Sequence, residues 1–215
     1  MTKTNIFSIK EELVVFLRNQ DILSTDTRGV TTNVSTSSLA GVTSYVLSNT
    51  PTLLKNLRSV QVAGVTASFG NDYTVNYDEG RINFNTSQTG ISTAIYDAGN
   101  SDRIFPDFPQ PNIKLSQFPR IAVESISGST KEIELGAGSQ ESEYVITIVI
   151  YDKGLKNVED LISDVRSNIM DNKKSFYYFP FISLTSMGPM LVSPFGDNKV
   201  FQRNQDCIVR FVFEN

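Results

Sequence analysis

Residues 144–151 have the sequence YVITIVIY, and they decide the fold together with the segment that follows them. A run this apolar is typical of a central strand that is covered on both faces, because a strand with one face in water would alternate with polar residues. Lys153 and Gly154 then turn the chain. Over residues 155–169 apolar side chains recur at spacings of three and four, which predicts an amphipathic helix packed on that strand.

Further elements are predicted on both sides of this strand and helix. Residues 5–19 carry apolar side chains on one helical face and predict an N-terminal helix. Residues 121–125 alternate and begin a hairpin whose second arm is the 144–151 strand. After the helix, residues 181–185 and 200–213 predict two more strands.

The segment 39–98 has a β pattern of its own. Its clearest feature is a hairpin over residues 71–85, in which alternating Tyr and Val side chains are followed by Asp78-Glu79-Gly80 and a second alternating run. A glycine at the end of a short polar loop supplies the positive φ that hairpin closure often needs. Residues 53–57 suggest a single helical turn. The polar residues 24–38 before this segment predict a connector or an edge strand.

These elements together predict an α+β fold. We expect a helix followed by a β-β-α-β-β lobe, with helices packed on an antiparallel or mixed sheet, plus a small inserted all-β domain. The predicted lobe is discontinuous and comprises residues 1–38 and 99–215. The predicted insertion, which resembles a β-sandwich, comprises residues 39–98.

Composition excludes whole classes of function. The 215 residues include no His and one Cys, so mechanisms with a histidine base and zinc sites built from several thiolates are excluded. The formal net charge is -4, which does not favour a broad DNA-binding face. No apolar run is long enough for a membrane-spanning helix, and no secretory signal is evident, so we expect no membrane partner.

Motifs that could carry chemistry have simpler structural explanations. Gly136-Ala137-Gly138-Ser139 lies between two strand-like segments and does not open a helix, as a phosphate-binding loop would. Cys207 lies in an apolar strand pattern that is typical of a core position. Lys173 and Lys174 precede a run of aromatic residues that could stack on single-stranded nucleic acid, but a helix–strand junction also favours core packing. We therefore expect no catalytic residue, no cofactor site and no metal site.

Residues 99–119 form a break that combines four prolines with aromatic side chains. Phe105, Phe108 and Phe118 are three rings that water disfavours on a surface, so they either pack within the chain or contact a neighbouring subunit. Proline restricts the loop, which lowers the entropy lost when the loop is ordered on assembly. We predict that Phe105, Phe108 and Phe118 lie in a subunit interface.

The order of elements resembles a known protein family. The N-terminal helix, Phe118-Pro119-Arg120-Ile121-Ala122-Val123 leading into a hairpin, the 144–151 strand and the helix containing residues 160–166 look like the tail terminator, or tail completion, proteins of tailed bacteriophages. The 71–85 hairpin is similar to β modules of virion and tail-associated proteins. The resemblance covers about 115 residues besides that hairpin and rests on the order of elements. The chain departs from the compact family pattern by its insertion.

The resemblance implies a structural virion protein in the tail or neck region, assembled in the host cytoplasm. It implies a ring, expected to be a hexamer, that caps the tail tube and contacts the tube protein and a neck or stopper protein. DNA would pass through the lumen without specific binding. The acidic hairpin residues Glu132, Glu134, Glu141 and Glu143 are our candidates for the lumen or tube-end contact, because like charge lowers the affinity for phosphate. The alternatives are another neck or baseplate protein and a host-surface or glycan-binding module.

Overall fold

A computed structural model describes residues 6–47, 54–99, 102–106, 118–132, 139–195 and 197–214. Of these residues, 58% lie in strands and 19% in three helices. The chain divides into two compact units. Unit 1 comprises Met1–Ile22 and Arg103–Asn215, and unit 2 comprises Leu23–Asp102.

The helices and strands follow one another along the chain with long strands predominating. In chain order they are α1 (Ile6–Asn19), α2 (Thr25–Arg28), β1 (Thr31–Val46), β2 (Leu54–Val62), β3 (Val65–Thr66), β4 (Tyr73–Asn76), β5 (Arg81–Ala98), β6 (Ile104–Phe105), β7 (Arg120–Glu132), β8 (Ser139–Asp152), α3 (Leu155–Asp171), β9 (Phe181–Met187), β10 (Leu191–Phe195) and β11 (Asn198–Glu214).

Unit 2 is an antiparallel sheet with the order β1-β5-β2-β3, and β4 also pairs with β5. The long β1–β5 ribbon changes register near Gly41, which has a φ of +70° that other residues adopt only with strain. Side chains from both halves of the ribbon share one core with β2 and β4. Its buried members include Leu39, Tyr45, Leu57, Val60, Tyr73, Ile82, Phe84 and Tyr96.

Unit 1 contains a six-stranded sheet with the order β10-β11-β8-β7-β6, in which β9 also pairs with β11. The prediction of a central 144–151 strand is confirmed, because β8 lies between β11 and β7. Ile146, Ile148 and Ile150 are fully buried and share one face of β8. The same face of β11 carries Gln205, which accepts a hydrogen bond from Arg166 of α3. We call this the α3 face and its opposite the far face.

The predicted fold class is wrong. The chain is mostly β and contains two sheets, whereas we expected a helix-led α+β lobe with a small β insertion. Residues 31–38 illustrate the difference. They were predicted as a connector or an edge strand of the α/β lobe, and they form the first half of β1, an edge strand that pairs with residues 91–98 in the sheet of unit 2. Residues 54–57, predicted as part of a helical turn, begin β2 instead.

Other local predictions are confirmed. The helices expected over 5–19 and 155–169 appear as α1 and α3, and the 71–85 hairpin appears as β4 paired with β5. The predicted domain boundary at 38/39 falls within β1, whereas the contacts divide the chain at 22/23 and 102/103. Within the described ranges, none of the helices has the length and apolar character that crossing a membrane requires.

Candidate assembly surface

Strands β9 and β10 form one outer edge of the unit 1 sheet. Both pair with the same side of β11, with Phe181 opposite Arg210 in β9 and Leu191 opposite Gln202 in β10. Between them the chain stays attached to β11, because the Gly188 N–H donates to the Asn204 carbonyl at 2.9 Å. In the part of the chain that the structure describes, no strand pairs with the other side of β9 or β10. We call these two strands the β9–β10 edge.

The β9–β10 edge is unusually apolar for an exposed edge. Four large apolar side chains are between 43% and 53% exposed along it, namely Phe181, Met187, Leu191 and Val192. Monomeric proteins usually protect such edges with charges, prolines or bulges, because an open edge can pair with another chain. Pro194 lies in β10 and the pairing of β9 with β11 is irregular at one point, but β9 itself contains neither a charged residue nor a proline. The exposed apolar side chains of this edge are therefore suited to contact with a second chain.

A groove opens where the end of α3 approaches the start of β9. It has a volume of about 330 Å³ and is lined by Met170, Lys173 and Lys174 on one side and by residues 180–183 on the other. Met170 and Phe181 contribute exposed apolar surface, and both lysines are exposed. We call this the α3–β9 groove, and it combines an apolar lining with positive charge.

Helix α1 contacts the loop that joins α3 to β9, just before the residues that line this groove. The Glu12 carboxylate accepts hydrogen bonds from the backbone N–H groups of Tyr177 and Tyr178, the second at 2.9 Å. Phe16 packs edge-on against Phe176, with ring centroids 4.9 Å apart. Burial raises the pKa of Glu12 to about 7, although the two N–H groups oppose the rise. These contacts hold the chain between α3 and β9 in one position.

The predicted interface phenylalanines have different environments. Phe118 is buried in unit 1 with Ala122, Val149, Tyr151 and Val200. Phe105 is half-buried in β6, and the guanidinium of Arg120 lies 4.3 Å from its ring centroid. Phe108 lies outside the described residues. The structure thus leaves part of Phe105 accessible and little of Phe118, and the interface role of all three stays a prediction.

The predicted acidic hairpin is the β7–β8 hairpin. By strand register, Glu141 and Glu143 project from the far face of the sheet. Arg210 binds Glu143 through Nε at 2.6 Å, and Lys131 lies directly opposite Glu141. Each of these carboxylates therefore has a cation beside it, which weakens the argument for repulsion of DNA.

The other two predicted acidic residues, Glu132 and Glu134, are not fully described by the structure. The side chain of Glu132 and all of Glu134 lie outside the described residues. The lumen or tube-end role of the four glutamates stays a prediction.

Unit 2 has a cavity at the end that contains the β2–β3 turn. Its volume is about 310 Å³, and its lining includes Val65, Asp72, Phe84, Ser87 and Gln88. Phe84 is buried and Val65 is largely exposed. The cavity therefore offers hydroxyl, amide and carboxylate groups beside an apolar wall, which suits a small polar ligand.

Cys207 is a core residue. It is fully buried in β11, and burial raises the pKa of its thiol to about 12, so the thiolate form is scarce at neutral pH. Among the residues that the structure describes, no group of three or more His, Cys, Asp and Glu residues is placed to hold a metal ion.

Sequence reasoning predicted a strand over residues 181–185, which β9 confirms, but it missed β10 and the edge that the two strands form. The signal was present in the segment FISLTSMGPMLV over residues 181–192, where apolar residues flank Gly188-Pro189 without a clear alternation. Two short apolar strands separated by a Gly-Pro break are typical of an edge, because proline is confined to edges and bulges. Comparison with known proteins gives no further guidance, because no family model matches the chain and no curated protein matches it either.

Proposed function

We propose that this chain is a structural subunit of a tailed-phage virion and forms a ring that closes the tail tube and joins it to the neck. The apolar β9–β10 edge is the observation that carries the assembly part of this proposal. The order of elements in the sequence supports the assignment to a tail terminator. The expected partners are further copies of the chain, the tail tube protein and a neck or stopper protein, and the expected location is the virion tail.

A closed ring requires two different surfaces on each copy, because its contacts run head to tail. The β9–β10 edge supplies one surface with free backbone groups and exposed apolar side chains. An incoming strand would bond the backbone and cover Leu191 and Val192. Each apolar side chain that becomes fully buried contributes on the order of 1.5–3 kcal/mol. The β6 side of the sheet, where Phe105 lies, is our candidate for the second surface.

The test is a double substitution on the edge, Leu191→Lys with Val192→Lys. These side chains are 46% and 53% exposed, so we expect an unchanged melting temperature for the single chain. Rings seen for the wild-type chain by mass photometry and negative-stain microscopy should disappear. The matched control is Val34→Lys with Ile91→Lys, two exposed apolar positions in unit 2 that should leave rings intact. A wild-type chain that stays monomeric at every concentration, even with tube protein present, contradicts the proposal.

The cavity in unit 2 favours a second candidate function, a host-surface or glycan-binding module. Its polar groups from Asp72, Ser87 and Gln88 could bind sugar hydroxyls. Under this alternative the chain binds glycans on an array, and Gln88→Ala weakens that binding without affecting ring formation. Absence of glycan binding by the full chain removes this alternative.

A further inference from the structure

We propose that strand β1 of unit 2 pairs antiparallel with β1 of a second copy about a two-fold axis. The outer edge of β1 over residues 31–40 is the observation that carries this inference. The contact does not depend on the proposed ring, whose candidate surfaces lie in unit 1. It is a second contact between copies of the chain, made through unit 2.

Strand β1 is a long open edge of the unit 2 sheet. It is 16 residues long and pairs with β5 on one side, and among the described residues no strand pairs with its other side. On the opposite side of the sheet, β3 covers only the last two residues of β2. The uncovered part of β2 carries Lys55 and Arg58, and its pairing with β5 is irregular at two points. Charges and irregular pairing protect an edge, so β2 is protected where β1 is open.

Residues 31–40 of β1 lack the features that usually protect an edge strand. The whole strand contains no charged residue and no proline. Its register against β5 is regular from Thr31 to Ala40 and first shifts between Ala40 and Val42. A long regular edge without charges, prolines or bulges is a template for pairing with another strand.

A second copy of the same strand fits this edge. Residues 31–38 consist of Thr, Ser, Asn and one Val, so self-pairing brings no like charges together and buries no charge. A two-fold axis perpendicular to the sheet pairs odd-numbered residues with odd-numbered ones, so the core faces of both copies lie on the same side. The contact therefore extends the unit 2 sheet across the axis and keeps both cores covered.

The exposed side chains favour an axis at Ser35. In this register Val34, which is 59% exposed, faces Thr36 of the second copy, and Thr32 faces Ser38 of the second copy. Pairs of β-branched side chains and pairs of Ser and Thr hydroxyls stabilise antiparallel strands. Each Val34 thus gains a β-branched neighbour in place of water.

The overlap in this register comprises residues 32–38, which span about 24 Å of strand. It ends before Thr31, whose carbonyl accepts a hydrogen bond from the Asn33 side-chain amide at 3.0 Å. It also ends before the irregular pairing near Gly41. The proposed contact therefore uses the part of the edge that lies between these two features.

The test separates this contact from the ring by using the chain with Leu191→Lys and Val192→Lys, which we call the ring-deficient chain. We expect it to form dimers in analytical ultracentrifugation. Adding Val34→Lys and Thr36→Lys places like charges opposite each other across the axis and should raise the dissociation constant of the dimer by about tenfold or more. Val34→Glu with Thr36→Glu should have the same effect. An equimolar mixture of the lysine and glutamate chains should recover dimers to within about threefold of the ring-deficient chain, because opposite charges then face each other.

A matched control makes the same two replacements elsewhere in unit 2. Val65→Lys with Thr66→Lys again replaces one exposed Val and one exposed Thr, on β3, and should leave the dissociation constant unchanged. If the chain with both β1 lysines fails to fold by circular dichroism, Thr36→Lys alone takes its place and should weaken the dimer by a smaller factor.

Disulfide formation tests the register. Cys207 is the one cysteine of the chain and is fully buried, so introduced thiols are the accessible ones. Ring-deficient chains with Val34→Cys and with Thr36→Cys should cross-link faster when mixed than either does alone, because these two positions face each other across an axis at Ser35. Equal rates in the mixture and in the separate chains overturn this axis.

The outcomes distinguish this contact from the ring. A ring-deficient chain that stays monomeric up to millimolar concentration overturns pairing through β1, as do dimers that the lysine and glutamate replacements leave intact or a mixture that fails to recover. A wild-type chain without rings, together with ring-deficient dimers that respond as expected, overturns the ring and supports the β1 contact. Rings that form although the ring-deficient chain is monomeric have the opposite meaning.

Discussion

The two units bury a carboxylate in opposite ways. In unit 2, Asp97 is fully buried and is bound by two guanidinium groups, Arg28 at 3.0 Å and Arg58 at 2.9 Å. Thr32 adds a hydroxyl donor at 2.9 Å. In unit 1, Glu12 accepts hydrogen bonds from the backbone N–H groups of Tyr177 and Tyr178. One buried acid is held by cations and the other by neutral donors.

This difference reverses the direction of the pKa shift. Burial would raise the pKa of Asp97, but the hydrogen bonds from Arg58 and Thr32 and the charge of Arg28 outweigh it and lower the pKa. Burial dominates at Glu12 and raises its pKa to about 7. At Glu12 the two backbone N–H groups lower the pKa by less than burial raises it, whereas at Asp97 the guanidinium groups and the Thr32 hydroxyl more than offset burial.

Opposite shifts give opposite pH dependence. Stability from Asp97 is present above the unfolded pKa near 3.8 and is lost as pH falls through the lower folded pKa. Stability linked to Glu12 is present in full below its unfolded pKa of 4.5 and is lost as pH rises toward 7. The two units should therefore respond differently to the same change in pH.

The largest effect on stability is expected from removing the charge of Asp97, the carboxylate that is bound by two guanidinium groups. Asp97→Asn leaves Arg28 and Arg58 without their shared carboxylate in a buried site, which should destabilise unit 2 by about 3–5 kcal/mol. Hydrogen–deuterium exchange resolved by peptide measures this as a loss of protection within residues 23–102. Asp78→Asn, at an exposed turn of the same unit, is the control and should change little. Equal effects of both variants would show that the Asp97 cluster does not stabilise the unit.

A smaller effect is expected from Glu12→Gln, and it depends on pH. In the wild-type chain, amide protection in unit 1 should fall by up to about 3 kcal/mol between pH 4.5 and 7.5, because the folded state holds the Glu12 proton more tightly than the unfolded state. Gln cannot ionise, so the variant should lack this slope. Glu11→Gln, the neighbouring position on α1, should keep it. A slope that survives Glu12→Gln means that another group causes it.

In both units, the elements that could be predicted from sequence are those whose signal lies within one local stretch of the chain. In unit 1, α3 and β8 were predictable because their apolar pattern spans a whole element and burial reinforces it. In unit 2, the 71–85 hairpin was predictable because Gly80 has the positive φ that the turn requires. Local patterns of this kind need no knowledge of distant partners.

What sequence missed depends on partners far along the chain. An edge strand was one of the two structures predicted for residues 24–38, but their Ser- and Thr-rich sequence did not show that residues 31–38 pair with β5 some sixty residues later. Arg28 and Asp97 are 69 residues apart and meet only in the folded unit. At the candidate site, Glu143 was predicted as part of an acidic patch, but Arg210 neutralises it across the sheet. Pairing between distant strands was the information that the sequence pattern lacked.

A smaller loss of stability than that expected for Asp97→Asn is expected from a change in the packing of unit 1. A Cβ on Gly128 would lie 2.1 Å from the ring of Tyr144, which stacks on Phe211 with centroids 5.6 Å apart. Gly128→Ala must displace this ring and should cost about 1–3 kcal/mol in urea unfolding. Gly188→Ala, whose nearest neighbour is 3.4 Å away, should cost little. Tyr144→Ala removes the obstructing ring, so adding Gly128→Ala to it should have almost no further effect.

The smallest effect on stability is expected at Phe105, a half-buried aromatic ring of unit 1. Phe105→Ser removes a half-buried ring and its contact with Arg120, which is worth about 0.5–2 kcal/mol. Urea unfolding should therefore show a modest loss of stability. Assembly of the oligomeric ring should fall sharply if Phe105 contacts a neighbouring subunit, and more so when Phe108→Ser is added.

Phe118→Ser is the contrasting variant. Phe118 is only 8% exposed in the unit 1 core, so its replacement should destabilise the fold itself by about 3–5 kcal/mol. If Phe105→Ser unfolds unit 1 as Phe118→Ser does, then Phe105 is a core residue and its interface role is wrong. If assembly and melting temperature both stay at wild-type values, the second ring surface lies elsewhere in unit 1.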